Sequence, residues 1–380
     1  MTVPDPVVLV ACDKFKGSLV ATEVAQRVAV GVRRALPDAT VRSLLVADGG
    51  DGTIEAALGA GYEARTTTTS GPTGRPLQAR YAVLGATAVV ELAETCGIVH
   101  LPDRRLEPLT STSRGVGEAV RAALDEGCAE IVLGIGGSAS TDGGTGMLSA
   151  LGARFLDASG HEIPDGAGGL ATLDRVDLSG LHPALAGARV VVACDVNNPL
   201  LGDRGTAAVF GPQKGVTEQL RPQVDAGLER LADLLAEATG RDTRDEPGAG
   251  AAGGVGYAAL QVLDAEMRPG VELVLDLVGF AEQVDGADLV ITGEGSLDEQ
   301  SLMGKTPVGV AEAAARAGVP VVAVCGRSLL AGGQAEAAGV RRVYALTDIE
   351  PDLARCMSAA GPLLEELAAA VARDLADGRL

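Results

Sequence analysis

The chain has 380 residues, longer than one comfortable hydrophobic core, and its 47% hydrophobic content excludes a disordered protein. Aromatic residues make up 2%, Trp is absent, and Lys+Arg 31 against Asp+Glu 51 leaves a formal charge of −20. That composition argues against base stacking and against attraction to nucleic acid or an anionic membrane. No apolar run reaches the about 18 residues of a membrane helix, and no basic-then-apolar leader opens the sequence, so a cytoplasmic location is expected. The six Cys form no C-x-x-C pair and several lie in apolar runs, which reads as small core residues in a reducing compartment.

In chain order, a β-branched run over 7–12 ends in Asp13, and an amphipathic helix is expected over 21–36. A second run, 43–47, ends in Asp48-Gly49-Gly50-Asp51-Gly52. Residues 62–94 read as antiparallel strands: 66–70 and 77–84 flank a Gly71-Pro72-Thr73-Gly74 turn, and 88–92 follows. A helix over 115–126 leads to a strand at 130–135, which runs into Gly136-Gly137-Ser138. A strand at 190–194 ends in Asp195, and a helix is expected over 217–238. Residues 241–256 pass from a charge run into Gly248-Ala249-Gly250-Ala251-Ala252-Gly253-Gly254, too Gly-rich for a stable helix and expected to be a mobile loop. Strands at 289–292, 319–325 and 343–346 alternate with helices at 308–317 and 361–375. Near-continuous apolar strands alternating with helices predict parallel sheets covered on both faces, hence an α/β fold. Such segments flank the middle of the chain on both sides, so one domain is expected to be inserted in the other, with boundaries near 70 and 285.

The scarce residues narrow the chemistry. His100, His161 and His182 match no metal spacing, which disfavours a His-based hydrolase or zinc enzyme. Of 31 basic residues only four are Lys: Lys14, Lys16, Lys214 and Lys305. Three of these touch Gly directly, and a compact ammonium beside permissive backbone suits phosphate oxygens. Asp13, Asp48, Asp51, Asp195 and Glu294 fall at the carboxyl ends of strands, where ligands gather in parallel sheets. Each alone reads equally as a helix cap; together with the lysines they point to Mg-nucleotide chemistry. The densest motif, Gly134 to Gly144 with Ser138, Ser140 and Thr141, reads as an anion-binding nest. It also matches the G-x-G-x-x-A dinucleotide fingerprint, with Asp157 downstream. Against that reading, Asp142-Gly143-Gly144 puts weak helix formers where a crossover helix should start. Gly304-Lys305-Thr306 resembles the end of a Walker A loop, but Glu299 stands where that motif needs Gly.

Asp13-Lys14-Phe15-Lys16-Gly17-Ser18-Leu19, Ala47-Asp48-Gly49-Gly50-Asp51-Gly52-Thr53 and the 134–144 loop occur in an order that resembles the type I (bacterial) glycerate kinase family. Ala193-Cys194-Asp195-Val196-Asn197-Asn198-Pro199-Leu200, Gly211-Pro212-Gln213-Lys214-Gly215, the 248–254 loop, Thr292-Gly293-Glu294-Gly295 and Gly304-Lys305 complete the series. Two positions depart from the family pattern: Thr141, where Asn is usual, and Met303, where a polar residue is expected. The resemblance implies ATP-dependent phosphorylation of D-glycerate, usually to 2-phosphoglycerate. It also implies two α/β domains, one Rossmann/flavodoxin-like with a parallel sheet built from both chain ends (1–70 plus 285–380), the other inserted and mixed α/β (71–284). ATP and Mg2+ are the implied cofactors and D-glycerate the small-molecule partner, without nucleic acid or membrane, and with a homodimer as the candidate assembly.

On chemical grounds the catalytic candidates are Asp195, Asp48 and Lys16. Lys214, Lys305, Gly136, Gly137 and Ser138 are candidates for nucleotide phosphates, and Ser140, Thr141 and Asp13 for substrate. Asp195 and Glu294 are candidate Mg2+ ligands. The competing functions are an NAD(P)-dependent oxidoreductase and a kinase-derived metabolite-binding protein.

Overall fold

The computed structural model describes residues 5–380, apart from the side chain of Met303, so the departure at that position lies outside the described residues. Its strands are β1 (Val7–Cys12), β2 (Thr40–Leu45), β3 (Glu63–Ser70), β4 (Pro76–Leu84), β5 (Thr87–Glu91), β6 (Glu130–Gly134), β7 (Arg154–Leu156), β8 (Arg175–Asp177), β9 (Arg189–Ala193), β10 (Glu266–Arg268), β11 (Leu289–Leu297), β12 (Val321–Ser328) and β13 (Arg342–Ala345). They belong to two compact units. One comprises Met1–Asp48, Glu55–Ala60 and Val271–Leu380, the other Gly49–Ile54 and Gly61–Gly270.

The first unit holds a five-stranded sheet in the order β13-β12-β11-β1-β2, with every neighbouring pair parallel. Numbered within the unit this is the flavodoxin-like order 2-1-3-4-5, whose winding reverses between β1 and β11. The period of two explains why it is covered on both faces. Val8 and Val10 join Val24, Val28, Leu364 and Leu367 in one core, where the helices Ala21–Ala35 and Ala360–Ala376 lie. Leu9 and Ala11 turn to the opposite core with Val271, Val274, Val310 and Ala314. Each fully buried Val or Leu contributes about 1.5–3 kcal/mol relative to exposure.

The second unit carries the mixed sheet β10-β9-β6-β5-β4-β3. β3, β4 and β5 form the expected antiparallel meander, turning through residues 71–75, and β5, β6, β9 and β10 run parallel. A separate two-stranded ribbon, β7-β8, has strands of three residues each, too short to show periodicity.

The structure moves the expected boundaries. Residues 63–70 pair with β4 and so belong to the second unit, whose main stretch starts at Gly61 rather than near 71 and which also takes in Gly49–Ile54. At the other end, Val271 and Val274 bury their side chains in the core of the first unit, which therefore resumes at Val271 rather than near 285. The 248–254 segment is not a mobile loop: apart from half-buried Ala252 it is buried, and residues 251–254 form a tight turn leading into the buried helix Val255–Leu263. Its glycines permit close backbone approach instead of freedom. Among the described residues no helix is long and apolar enough to cross a membrane.

Candidate active site

In the first unit three carboxylates lie in or just beyond the carboxyl-terminal portions of three adjacent strands. Asp13 follows β1, with its N–H donating 2.9 Å to Gly293 O and so extending the ladder by one residue. Asp48 follows β2. Glu294 lies inside β11, which runs on to Leu297, beyond the expected end at 292, and pairs Glu294 with Cys325. Asp13 Oδ1 accepts from Lys14 N–H at 2.6 Å, and Oδ2 accepts from the Thr306 hydroxyl at 3.4 Å. Burial pushes the Asp13 carboxyl up to about 7; the nearby Lys14 charge opposes this and the Asp48 and Glu294 charges add to it. Burial likewise raises Glu294, against a hydrogen bond from Ser301 and the charge of Lys305. Glu294 Oε1 is buried without a hydrogen-bond partner, a costly state for a carboxylate oxygen.

Lys305 acts on Glu294 from close by, and Lys16 follows Asp13 on the turn after β1. Phe15, 1% exposed, anchors the turn after β1, where its N–H donates to Leu19 O at 2.9 Å; Lys16 is left exposed on the turn. Lys305 precedes helix Thr306–Arg316, which carries Pro307 in its first turn.

In the second unit the ends of β5, β6 and β9 lie side by side. Glu91, buried at the end of β5, accepts from Ile54 N–H at 2.5 Å and so fixes the 49–54 loop. A Cβ at Gly134 would lie 2.8 Å from Gly49 O, which is why glycine closes β6 there. Beyond it only Gly136 and Gly137 reach solvent; Ser138, Ser140 and Thr141 are buried. Lys214, 2% exposed, donates from Nζ to Ser138 Oγ at 2.6 Å and to Ser140 O at 2.8 Å. Burial lowers its pKa to about 7, against the opposing attraction of Asp142. The Ser140 and Thr141 hydroxyls are buried without partners. Asp195, exposed after β9, accepts from Gly270 N–H at 2.8 Å.

The residues brought together are thus Asp13, Asp48, Glu294 and Lys305 in one unit, and Ser138, Ser140 and Lys214 in the other. Asp142, by sequence a weak helix former, is the buried centre of the second group. Its place as the one acid in a run of Gly, Ser and Thr was the available sign. The dinucleotide fingerprint fails on geometry. Gly143 and Gly144 adopt φ of 67° and 78°, and the helix that follows, Thr145–Ala150, has six residues, too short for a crossover. Gly304-Lys305-Thr306 is likewise no Walker A loop, being separated from β11 by the turn in which Asp298 accepts from Gln300 and Ser301 N–H groups. The cysteines carry no disulfide, and burial raises the thiols of Cys12, Cys96 and Cys325, which makes them inert.

Carboxylates gathered where a doubly wound sheet reverses, in a chain that also braces a glycine-rich loop with a buried lysine, suit phosphoryl transfer by a small-molecule kinase. The sequence profile of the Glycerate kinase family matches residues 8–376. Among relatives, the Escherichia coli (strain K12) protein named glycerate 2-kinase is 44% identical over 322 residues, 84% of each chain. A glycerate kinase of Halalkalibacterium halodurans is 41% identical over 369 residues, 96% of this chain and 97% of that one. The crystal structure of a Salmonella typhimurium LT2 protein assigned as glycerate kinase 2 superposes with a TM-score of 0.87 at 40% identity, covering 99% of both chains. The chain belongs to the glycerate kinase family, and it is a kinase.

Proposed function

We propose that this enzyme transfers the γ-phosphoryl group of Mg-ATP to the 2-hydroxyl of D-glycerate, giving 2-phosphoglycerate. The observation that carries the reading is the acid group at the β1–β11 switch point, in which Asp13 is poised at about 7. The choice of the 2-position is supported by the name of the E. coli relative. A cytoplasmic location fits the six cysteines, all of which are free.

Phosphoryl transfer needs positioning and charge neutralisation more than covalent help. We assign Asp13 as the base that accepts the substrate hydroxyl proton, since a carboxylate near neutrality is ionised in use yet still basic. Among the described residues no group of three or more His, Cys, Asp or Glu is arranged to hold a metal ion. Mg2+ ordinarily takes one or two protein carboxylates and completes its shell with phosphate oxygens and water. The donor set Asp48 and Glu294, with the partnerless Glu294 Oε1, fits that habit. When bound, Mg2+ would neutralise charge on the transferring phosphate. Lys16 and Lys305 are assigned to phosphate oxygens, and the exposed Gly136–Gly137 backbone to a ligand anion. Ser138, Ser140 and Lys214 shape that loop from beneath, with Thr141 buried beside them. Asp195 is assigned to a ligand contact at the end of β9.

A coupled assay of ADP release with D-glycerate and Mg-ATP, followed by 31P–1H NMR of the product, tests the reading. Phosphate on O2 is expected; phosphate on O3, or no turnover, overturns it. Asp195→Asn should lower turnover at least about 100-fold with the fold retained by circular dichroism. Near-normal turnover would remove Asp195 from the site.

A further inference from the structure

Asp142 lies in the loop after β6 and is fully buried. A carboxylate placed there without compensation would be strongly penalised. Burial does push its carboxyl above the ordinary carboxylate range, and four donors oppose that: Oδ2 accepts from the Ser113 N–H at 2.8 Å, the Ser113 hydroxyl at 2.8 Å and the Gly146 N–H at 3.2 Å, while Oδ1 accepts from the Gly144 N–H at 3.2 Å. Four donors converging on one side chain specify a carboxylate, because an amide would turn its NH2 against them. These contacts hold the far end of the 137–146 loop. The near end is held by Lys214, through Ser138 Oγ and Ser140 O. Lys214 is buried too, and among the described residues the charge acting on it is that of Asp142.

We propose that Asp142 is a positioning residue for phosphoryl transfer: the buried anion that fixes the glycine-rich loop and keeps the Lys214 ammonium in place against its hydroxyl and carbonyl partners. The inference rests on the kinase reading above. It does not make Asp142 a ligand contact, since the side chain is sealed from solvent. The other titratable groups that feel Asp142 are Arg114, occupied in a bidentate pair with Asp165 at 2.7 and 2.8 Å, and the buried Cys96, whose thiol is pushed up to about 12. Neither replaces Lys214 as the group through which Asp142 acts: the first is already neutralised and the second is uncharged.

Asp142→Asn, Asp142→Glu, Lys214→Met and the double variant Lys214→Met/Asp142→Asn test the proposal. In Asp142→Asn, kcat is expected to fall about 10–100-fold, and the basic limb of kcat/KM to move about one pH unit lower, because Lys214 loses its only counter-charge. Asp142→Glu should recover the limb position. A loss of kcat with the limb unmoved shows a purely structural role and overturns the proposal. A second readout needs no substrate. Lys214 is depressed in the folded protein, so the unfolded state binds more protons above about pH 7. Stability from this group therefore rises as pH rises from about 7 towards the ordinary lysine value. Asp142→Asn should start that rise at lower pH, and on the Lys214→Met background it should shift nothing above about pH 7, where the carboxyl's own titration lies outside the window. An equal shift on both backgrounds overturns the proposal. Failure of the wild type to turn over D-glycerate would count against the substrate reading alone, because the stability profiles stand without it.

Discussion

Asp13→Asn is expected to lower kcat by about 10²–10⁴-fold, the usual contribution of a positioned general base, with ATP affinity little changed. The carboxyl is held at about 7 instead of the ordinary 3.8. It must be ionised to accept a proton, so wild-type kcat/KM should be present above about pH 7 and fall tenfold per unit below it. Lys214 sets the opposite limb, being charged only below about 7 in the free enzyme. The profile of kcat/KM is therefore expected to be a narrow bell near neutrality. Stability carries the reverse sign for Asp13. Between pH 3.8 and about 7 the folded state holds a proton that the unfolded state has lost, so this group's contribution falls as pH rises through that window and stays low above it. Asp13→Asn should accordingly be inactive yet no less stable than wild type at pH 8, measured by urea midpoint. Retained activity, or a marked loss of midpoint, would remove Asp13 as the base.

Gly253→Ala is expected to be strongly destabilising for a change of one methyl group. Gly253 has φ 74°, and a Cβ there would lie 2.0 Å from Ser140 O, an atom that also holds Lys214. The left-handed backbone costs about 1–2 kcal/mol and the steric overlap about 1–3 kcal/mol more. The loss should therefore be about 2–5 kcal/mol, together with weakened substrate turnover, because Gly253 O accepts from Gly143 N–H at 2.9 Å. Ala252, next to it, already carries a left-handed φ of 53°, so the turn has little conformation left to yield. Unchanged denaturation of this variant would show that the 248–254 segment can move away from the 140–143 loop.

Much of the fold was legible because its strands are buried on both faces. The uninterrupted apolar runs at 7–12, 190–194 and 319–325 have no other stable home than a covered parallel sheet. The meander at 63–91 was legible through Gly71-Pro72-Thr73-Gly74. What escaped was decided by tertiary contact. The composition of 248–254 announces flexibility, yet its small residues serve to let one backbone lie on another. Glu294 looked like a loop residue because glycines flank it, but pairing of β11 with β12 carries the strand past both. For the site, the acids at strand ends could be read from position alone. The depth of Ser140, Thr141 and Lys214 could not: a run of Gly and Ser reads as surface, and burial follows from the helix Val255–Leu263 and its turn packing over it. Asp142 stayed hidden for the same reason, since its donors come from residues 113, 144 and 146.

The interrupted layout of the first unit constrains how the protein is made. β1 pairs with β11, so Val10 meets Ile291 only after some 280 intervening residues have left the ribosome. At ordinary elongation rates that delay is on the order of half a minute. Until then β1 and β2 form a nascent two-stranded ribbon with an open edge, too small to persist in water. The unit spanning Gly61–Gly270 meanwhile has all of its strands, β3 to β10, in one continuous stretch and can consolidate first. A chain stalled on the ribosome just after Gly270 has emerged should consequently show a protease-resistant middle and a cleavable amino-terminal segment.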